Sequence, residues 1–504
     1  MTEPTIESNP PSRKPSNWFW PGLFLLVITL AATTNHSLWI DECVTAKFVS
    51  HSSLIGTWRD VLRHKFSEVQ MPLYITYMWA FTKLFGHGEL PLRLANLPLF
   101  LGGATLLVHA TARRWRIAWP LTLAIGASPF AWYYLNEARP YAMQLGATAM
   151  FVAALIRLGE SSSLSKKTED RWLAVYLTGV VLLSAISLLG EMWAGAALLA
   201  VFIAVPRERW RGWWRTHRPA LATTAALLLA VGCYYLWSLT IGARATAVGT
   251  TNLQTTLFIF YEQLGFAGVG PGRMELREAG VQALTPFAAG LLTYGIFTGL
   301  VFLAGCRAFL QKEMRGKTLS VVACLTVPAG LILIAGLITH FRVLGRHFAP
   351  LAVMLFLVLG AGLTRLWQKP RWIGKGIVAG FILATFWSSL SLRFAPRHEK
   401  DNYRRAATVA KAALEHGKIV WWSAADMAAE YYSVPIATNG ANLRAVTIVN
   451  NPGSDFAEAL PKPDLVIVSK PDVYDGQGAL AAYLKKNRYQ KATSFTAFTV
   501  WKAP

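Results

Sequence analysis

Eleven apolar runs in the sequence are each about long enough to cross a lipid bilayer as a helix. The apolar core of a bilayer is about 30 Å thick, and a helix needs roughly 20 apolar residues to cross it. The pattern therefore predicts an α-helical polytopic membrane protein with about eleven transmembrane helices. The runs lie near residues 17–35, 90–111, 117–135, 140–158, 172–189, 191–206, 219–240, 284–306, 318–340, 342–364 and 374–393.

Composition agrees with this class. Hydrophobic residues make up 54% of the 504 residues and charged residues only 15%, and the mean hydropathy is +0.36. These values are too apolar for a soluble enzyme. The formal net charge of +22 would suggest a nucleic-acid partner if the basic residues formed one patch, but they are spread along the chain. No nucleic-acid partner is therefore expected.

Lys and Arg are concentrated in every second connector between the apolar runs. Basic connectors of multi-pass proteins stay on the cytoplasmic side. We therefore expect the N-terminus, with Arg13 and Lys14, to be cytoplasmic, the C-terminus to be outside, and anionic membrane lipid to balance the excess charge. The basic connectors contain Arg113, Arg114 and Arg116; Lys166, Lys167 and Arg171; the run 207–218; Arg307, Lys312, Arg315 and Lys317; and Arg365, Lys369, Arg371 and Lys375.

The segment "MPLYITYMWAFTKLF", residues 71–85, is apolar but is interrupted by Lys83. If it crossed the membrane, every later connector would change sides and the basic ones would face out. We therefore expect a short helix in the outer interface, with its Tyr and Trp residues at the level of the headgroups. It belongs to a predicted outer juxtamembrane loop, 36–89.

The pattern divides the chain into a transmembrane domain, 1–399, and a soluble outer domain, 400–504. In the second part, strand-like and helix-like segments alternate, which predicts a small α/β domain. A long Gly-rich outer loop, 241–283, precedes the eighth apolar run. A loop of this length is either a mobile lid over a site or a poorly ordered connector.

Three ionisable clusters fall at the outer ends of the predicted spans: Asp41-Glu42, "NEARPY" at 136–141, and "HFRVLGRH" at 340–347. Taken singly, the carboxylates are explained by helix capping and the arginines by contact with lipid phosphate. Together they can deprotonate a hydroxyl and neutralise a phosphate. That chemistry suits transfer of a group from a lipid phosphate to an alcohol.

Four motifs follow one another in the first 150 residues: Asp41-Glu42; Pro72-Leu73-Tyr74; Glu89 with Arg93-Leu94; and Glu137-Ala138-Arg139-Pro140-Tyr141. In this order and spacing they resemble the C-type glycosyltransferase superfamily, and within it the branch of bacterial aminoarabinose transferases and protein O-mannosyltransferases. One difference is that Gln70 and Met71 stand where related enzymes often have Lys and a first Pro, so any contact made by that Lys is missing.

The resemblance implies transfer of a sugar, with inversion, from a polyprenyl-phosphate donor to an acceptor hydroxyl. In this scheme Asp41 is the catalytic base, and Glu42 orients the acceptor or Asp41. An alcohol is a poor nucleophile at neutral pH, and general-base catalysis contributes roughly 10²–10⁴-fold. The implied site is at the periplasmic side of a bacterial inner membrane, together with the C-terminal domain.

The leaving lipid phosphate gains charge as the glycosidic bond breaks, and arginine suits it because a guanidinium grips two phosphate oxygens. Arg139 is the first candidate for this role, and Arg346 or Arg342 the second. Tyr141 either hydrogen-bonds the phosphate or the sugar, or anchors the chain at the interface. Two motif residues, Glu137 and Tyr74, are expected to bind substrate.

Glu191, at an outer turn between two runs, is either a substrate-binding residue or a solvated turn residue. His340 and His347 flank the third cluster, but two histidines seven residues apart lack a recognisable metal-ligand spacing. Neither a metal nor another cofactor is expected.

Two other functions remain open from the sequence. A transporter or flippase of lipid-linked sugars also has many spans and basic sites, although transporters tend to place their charges near the midplane. A non-catalytic scaffold is the other, but it does not explain Asp41-Glu42 together with Arg139. The sequence names neither the sugar nor the acceptor, which is a lipid, a polysaccharide or a protein.

Overall fold

The computed structural model describes residues 19–112, 117–159, 164–205, 207–241, 250–339, 341–370, 372–437, 444–453 and 455–504. Several positions named above lie outside these ranges: Arg13, Lys14, Arg113, Arg114, Arg116, His340, Arg371 and residues 242–249 of the predicted outer loop.

The described chain is mainly helical. Its α-helices are α1 (Phe19–Ala32), α2 (Ile40–Val49), α3 (Leu54–His64), α4 (Pro72–Phe85), α5 (Glu89–Leu94), α6 (Leu97–Ala112), α7 (Ala118–Gly126), α8 (Pro129–Leu135), α9 (Tyr141–Leu158), α10 (Lys166–Ile186), α11 (Leu188–Ala204), α12 (Trp210–Ile241), α13 (Leu253–Gln263), α14 (Arg273–Ala279), α15 (Ala288–Phe309), α16 (Lys312–Ile338), α17 (Ala349–Trp367), α18 (Trp372–Phe394), α19 (Tyr403–Glu415), α20 (Asp426–Tyr431), α21 (Pro471–Tyr474) and α22 (Ala479–Lys486). The 3₁₀ segments are Ser67–Gln70, Arg207–Arg209, Phe266–Gly268, Gly280–Phe287, Gly345–Phe348, Pro396–His398 and Phe456–Glu458.

Within the described ranges, 7 helical segments are long and apolar enough to cross a membrane. Two shorter apolar helices, α1 and α11, accompany them. The predicted multi-pass helical architecture is confirmed, whereas the count of eleven spans is not. The segments are Glu89–Ala112, Tyr141–Leu158, Arg207–Ile241, Arg273–Phe309, Thr318–Ile338, Gly345–Trp367 and Trp372–Phe394.

The remaining apolar runs depart from a simple span for local reasons. Run 117–135 is divided, because Ser128 caps α8 by accepting the Ala131 N–H at 3.2 Å and Pro129 is the first residue of α8. Helix α1 has 14 residues and is therefore about 21 Å long, short of the apolar core of a bilayer. Helix α10 is longer, but its first turns carry several charged residues.

Helices α6 and α9 pack at close range because each contributes a glycine at the contact. A Cβ atom on Gly103 would collide with the Gly146 carbonyl, and one on Gly146 would collide with the backbone of Leu99. Small residues at a crossing allow two membrane helices to approach closely. The contact also aligns the residues before each helix, where the Asn96 side chain donates to the Glu137 carbonyl at 2.7 Å.

Segment 71–85 is helical, as α4; its position at the membrane interface stays a prediction. Most of the described part of the predicted Gly-rich loop is also helical and forms α13, α14 and two 3₁₀ segments. Asn252 begins α13 as its cap, since its side chain accepts the Thr255 N–H at 2.8 Å. These residues therefore have regular secondary structure, and the lid and the poorly ordered connector both stay predictions.

The predicted small C-terminal α/β domain is confirmed. Its strands are β1 (Val420–Ser423), β2 (Thr447–Ile448), β3 (Leu465–Ser469), β4 (Gln490–Phe495) and β5 (Phe498–Lys502). They form one sheet in the order β2-β1-β3-β5-β4, with β1 parallel to β2 and β3 and the other pairs antiparallel. Both faces are covered, because Trp421 and Trp422 of β1 are fully buried in two separate clusters.

The sequence "TSFTAFTVWK" (493–502) predicts a single final strand, but it forms parts of β4 and β5, which pair as a hairpin. Ala497 lies at the turn with φ 64°. A left-handed residue reverses the chain direction, and non-glycine residues seldom adopt it. No turn signal in the sequence marks this position.

Candidate active site

Glu42 is a fully buried carboxylate, and backbone N–H groups and Arg93 bind both of its oxygens. It lies in the first turn of α2, where Oε2 accepts the Trp39 N–H at 3.2 Å and caps the helix. Arg93 holds both carboxylate oxygens, at 3.0 and 2.9 Å, and the Ala138 N–H donates to Oε1 at 2.7 Å. Glu42 therefore fixes the start of α2, on which Asp41 lies.

Arg93 uses all five N–H groups of its guanidinium. Besides Glu42, it donates to the carbonyls of Thr34 at 3.1 Å, His36 at 2.8 Å and Ser37 at 3.2 Å. Burial alone would raise the pKa of Glu42, but the charges of Arg93 and Lys400 and the hydrogen bonds outweigh burial and hold that pKa below its usual range. The pair is thus ionised and joins α2, α5 and the chain before α2.

The other charged residue of this motif, Glu89, contacts the C-terminal domain. Its Oε1 accepts from the Arg404 guanidinium at 3.0 and 2.7 Å and from the Tyr432 hydroxyl at 3.1 Å. A second contact joins Lys47 of α2 to Glu430 of α20 at 2.6 Å. Glu89 therefore links α5 to the C-terminal domain. Arg93, four residues later, holds the start of α2 through Glu42.

Arg139 is buried in a second ion pair. Its guanidinium is bonded to the Glu68 carboxylate, and it also donates to the Thr45 hydroxyl at 3.1 Å and to the Asp41 carbonyl at 3.4 Å. Its side chain is 3% exposed, and its Nε–H has no partner within the described residues. Arg139 is thus close to Asp41, but Glu68, Thr45 and the Asp41 carbonyl already engage its guanidinium.

Asp41 is the accessible carboxylate of the adjacent pair. Its side chain is 31% exposed, and its Oδ2 lies 3.5 Å from the guanidinium of Arg346, which is 21% exposed. Arg346 belongs to the 3₁₀ segment that precedes α17, and its Nε–H has no partner in the described chain. The structure thus brings together a carboxylate and a guanidinium from the first and third sequence clusters, both within reach of a ligand.

Aromatic rings surround Arg346. Its guanidinium lies 5.8 Å from the ring centre of Trp39 and 5.7 Å from that of Tyr141, within the range of a cation–π contact. Tyr141 in turn packs edge-on against Tyr134, with ring centres 5.2 Å apart. Tyr141 is therefore part of the same site as Asp41 and Arg346.

Arg342 is exposed and belongs to the same positive region. Partial burial and the nearby charges of Arg277 and Arg346 lower the pKa of its guanidinium. Arg277, Arg342 and Arg346 thus place several cations near one another here. An anion at this position would relieve their mutual repulsion.

Tyr74 and Glu137 are fully buried beside the site. The Tyr74 hydroxyl has no hydrogen-bond partner among the described residues, and burial raises its pKa well above the usual value. Glu137 accepts from Lys400 Nζ at 3.2 Å, and Lys400 also donates to the Asn136 carbonyl at 2.8 Å. Both residues are thus placed behind the accessible groups.

The structure does not bring Glu191 into the group around Asp41. Its carboxylate accepts from the Ser184 hydroxyl of α10 and lies beside Gly232 of α12. His347 accepts the Leu344 N–H at 3.2 Å and stacks on Phe341. Across the described ranges, no three His, Cys, Asp or Glu side chains group as a metal site.

A cavity of about 190 Å³ adjoins this site. It lies between α8, α13, α14 and the chain that leads from α18 into the C-terminal domain. Trp39 belongs both to the cavity wall and to the site around Arg346. Arg346 lies 5.8 Å from its ring centre, and Lys470 of the C-terminal domain lies 5.9 Å from it. Other residues of the cavity wall are Tyr133, Tyr134, Tyr261, Arg273, Lys400 and Asp401.

His398 in the cavity wall is expected to make stability depend on pH. Burial, with the nearby charge of Arg397, lowers its pKa from 6.5 to about 4, and its Nε2 accepts from Arg397 Nε–H at 3.1 Å. Between these values the unfolded chain binds a proton that the folded chain does not, so stability falls as pH drops from 6.5 to 4. The loss should be on the order of 3 kcal/mol. Thermal unfolding from pH 4 to 8 tests this against His398→Gln, which should lack that part of the dependence.

Solved structures with a similar fold are known. ArnT from Cupriavidus metallidurans in the apo state has a TM-score of 0.56 to this protein, and the similarity covers 96% of this chain and 97% of that chain at 13% sequence identity. This chain has the fold of ArnT. ArnT bound to undecaprenyl phosphate gives a TM-score of 0.51 at 14% identity, over 96% of this chain and 98% of that chain. No family model matches the sequence, and no curated protein is similar to it in sequence.

The fold that the resemblance of the first 150 residues implies is confirmed. Three charged residues that the motifs did not identify also contribute to the site: Glu68, Arg273 and Lys400. Glu68 precedes the Pro72-Leu73-Tyr74 motif by four residues, and Lys400 lies at the predicted domain boundary. The nearness of Glu68 to a motif was the one available signal. Arg273 lies outside the motifs, and the partners of Lys400, Asn136 and Glu137, are 264 and 263 residues away along the chain.

Proposed function

We propose that the protein is a membrane glycosyltransferase that moves a sugar from a polyprenyl-phosphate donor to an acceptor hydroxyl at the outer face of the membrane, with inversion. The observation that carries the proposal is the Asp41–Arg346 pair, in which a partly exposed carboxylate lies 3.5 Å from a partly exposed guanidinium. A base and a phosphate-binding cation side by side are the two groups that this reaction needs.

In the proposed reaction the acceptor oxygen forms a bond to the anomeric carbon of the donor sugar. The bond from that carbon to the phosphate oxygen breaks, and its electron pair remains on the polyprenyl phosphate. Asp41 takes the proton of the acceptor hydroxyl. Arg346 binds the phosphate oxygens, on which negative charge increases as the bond breaks, so its stabilisation is greatest in the transition state.

Other residues have supporting roles in the proposal. Glu42 orients Asp41 through the first turn of α2. Arg139 aids the phosphate through its unpartnered Nε–H, but Arg346 is placed first because the Glu68 carboxylate already engages the Arg139 guanidinium. Arg342 adds positive charge.

Three more residues act around these groups. Tyr141 holds the Arg346 guanidinium against its ring. Glu137 positions Lys400 in the cavity wall. Tyr74 is buried near Arg139, and we assign it a role in packing around that arginine. Glu191 has no part in the proposal, because its described contacts are with α10 and α12.

The donor class is supported by the ArnT structure bound to undecaprenyl phosphate. By the distribution of basic connectors, the site faces the outer side of the membrane. With the resemblance to bacterial transferases, we place it at the periplasmic side of an inner membrane. The acceptor is a hydroxyl of a lipid, a polysaccharide or a protein, and the transferred group is a hexose or a pentose.

Replacing Arg346 by Gln is expected to lower kcat by about 10²–10³-fold, the effect of removing one preorganised transition-state donor. Arg346→Lys should recover part of the rate, because it keeps the charge but not the planar fork. The measurement is release of polyprenyl phosphate from a panel of polyprenyl-phosphate sugars by detergent-purified protein. Arg405→Gln is the matched control, since Arg405 is an exposed arginine over an aromatic ring, that of Phe495 at 4.7 Å.

Equal rates for wild type and Arg346→Gln would remove Arg346 from the reaction. If the wild type bound lipid-linked sugars but released no polyprenyl phosphate from any donor, transfer itself would be contradicted. The flippase alternative would then be tested by movement of the same lipids across vesicles.

A further inference from the structure

We propose that the cavity beside the Asp41–Arg346 pair is a subsite for one uncharged sugar ring and discriminates against amino sugars. This inference rests on the proposed function and adds the class of sugar to it. It follows from unpartnered polar atoms in the cavity wall, from the pairing of the wall's carboxylates, and from the position and size of the cavity.

Three polar groups of the cavity wall are buried without a hydrogen-bond partner in the described part of the chain: Trp39 Nε1–H and the hydroxyls of Tyr134 and Tyr261. Tyr134 is 2% exposed. Buried polar groups are nearly always hydrogen-bonded in proteins, so three in one wall call for a ligand or ordered water. An indole can only donate, whereas a phenol both donates and accepts. Sugar hydroxyls match such a set because each of them also donates and accepts.

The carboxylates of the wall already have partners. Glu262 is paired with Arg273 at 2.5 Å, and Asp401 is paired with Lys470. The carboxylate of Glu399 accepts from the hydroxyl of Thr496 and from the side chain of Asn402. At Glu262 and Asp401 an ammonium group on the sugar would have to displace an existing cation, and throughout the cavity it would meet positive charge from Arg273, Arg277, Arg397, Lys400 and Lys470 of the wall. A neutral ring meets neither cost.

Lys400 adds a donor for the same ring. Its side chain is 16% exposed and the residue lines the cavity. Two of the three N–H groups of its ammonium are directed to Asn136 and Glu137. The ammonium also lies 4.6 Å from the ring centre of Tyr133. The remaining N–H is available to an oxygen in the cavity.

The position of the cavity connects it to the reaction. Trp39 lies against Arg346 on one side and against Lys470 in the cavity wall on the other. Tyr134 joins the two regions in the same way, since its ring packs on Tyr141, which contacts Arg346. A ring in the cavity therefore lies next to the groups proposed to bind phosphate and to accept the proton.

The volume sets the size of the occupant. About 190 Å³ corresponds to roughly six water molecules at about 30 Å³ each. Sites for drug-sized ligands occupy about 300–1,000 Å³. The cavity thus suits a single ring, either the sugar of the donor or the terminal sugar of the acceptor.

The test uses the double variant Tyr134→Phe/Tyr261→Phe of the full chain, which removes two hydroxyls and keeps both rings. The probes are undecaprenyl phosphate alone and the same lipid phosphate bearing arabinose or glucose, each beside its amino counterpart, and their dissociation constants are measured in detergent. For a donor sugar, we expect the variant to bind the neutral sugar lipids about 25-fold more weakly, at about fivefold per hydrogen bond, and to bind the bare lipid as the wild type does. Tyr489→Phe is the control, since its hydroxyl is bonded to Pro463 within the C-terminal domain.

For an acceptor sugar, donor binding should be unchanged, and KM for a methyl glycoside acceptor should rise by the same factor. In either case the wild type should prefer the neutral ring to its amino counterpart by tenfold or more. The inference is overturned if the variant changes neither quantity, if bare and sugar-bearing lipids weaken together, or if amino and neutral sugars bind equally. Each of those results leaves the Asp41-dependent transfer reaction unaffected. If sugar binding instead depends on the two hydroxyls but no sugar is transferred, only the proposed function is overturned.

Discussion

Replacing Asp41 by Asn is expected to lower the rate of transfer by about 10²–10⁴-fold, the usual contribution of a general base. The amide has nearly the shape of the carboxylate but cannot take the proton of the acceptor hydroxyl. Of the two adjacent carboxylates, only Asp41 is accessible, at 31% side-chain exposure, while Glu42 is buried in contacts to Arg93 and Ala138. Donor binding should change little, because Arg346 remains in place.

The measurement is kcat at saturating donor and acceptor, with circular dichroism and thermal unfolding to show that the fold persists. Asp170→Asn is a matched control: Asp170 is also a partly exposed aspartate beside a basic side chain, His217 at 3.8 Å, but it lies in α10. The control should keep the wild-type rate. A wild-type rate for Asp41→Asn as well would contradict its role as the base and return Asp41 to the role of a helix-capping residue.

The adjacent pair shows how far sequence reasoning reaches for this site. The placement of two carboxylates after the first apolar run identified the region, and motif spacing linked it to Arg139 and Arg93. The sequence did not distinguish the roles of Asp41 and Glu42, because burial of Glu42 depends on Arg93, 51 residues away along the chain. Which arginine is accessible depends in the same way on Glu68, 71 residues from Arg139.

The fold was predictable where the signal was local. Long apolar runs predicted the membrane helices, and alternating patterns predicted the elements of the C-terminal sheet. Predictions failed where a single residue decided the outcome, as Pro129 does in dividing α7 from α8 and Ala497 does in forming a hairpin. The cavity had no sequence signal, because Trp39, Tyr134, Tyr261 and Lys400 come from four separate segments and only packing brings them together.

The second large effect expected is on stability, from breaking the buried Glu42–Arg93 pair. The two side chains are 0% and 1% exposed, and removal of one partner of a buried pair costs about 3–5 kcal/mol because the other charge is left uncompensated. Arg93→Met should be at least as damaging as Glu42→Gln, since it also leaves the Thr34, His36 and Ser37 carbonyls without a donor.

The experiment is a double-mutant cycle of Glu42→Gln, Arg93→Met and their combination, followed by thermal and denaturant unfolding in detergent. We expect the double variant to lose less stability than the sum of the single variants, because neither charge is then left alone. Arg209→Gln is the control: its pair with Glu169 has the same 2.9 Å distance, but Arg209 is 39% exposed, so its loss should cost about 1 kcal/mol or less. Additive losses, or equal losses for both pairs, would show that the Glu42–Arg93 pair does not hold α2 in place.

The same pair predicts a direction for acid sensitivity. Because the pKa of Glu42 is held below its usual value in the folded protein, its contribution to stability is complete above the unfolded pKa of about 4.5 and is lost as pH falls through the folded pKa. The melting temperature of the wild type should therefore fall more steeply below pH 4.5 than that of Glu42→Gln, and the two curves should run parallel at higher pH. Since Glu42 carries the start of α2 and Asp41 lies on that turn, loss of the pair should also lower kcat before the protein unfolds. If kcat is retained at a pH where Glu42 is already protonated, the position of Asp41 does not depend on the Glu42–Arg93 contact.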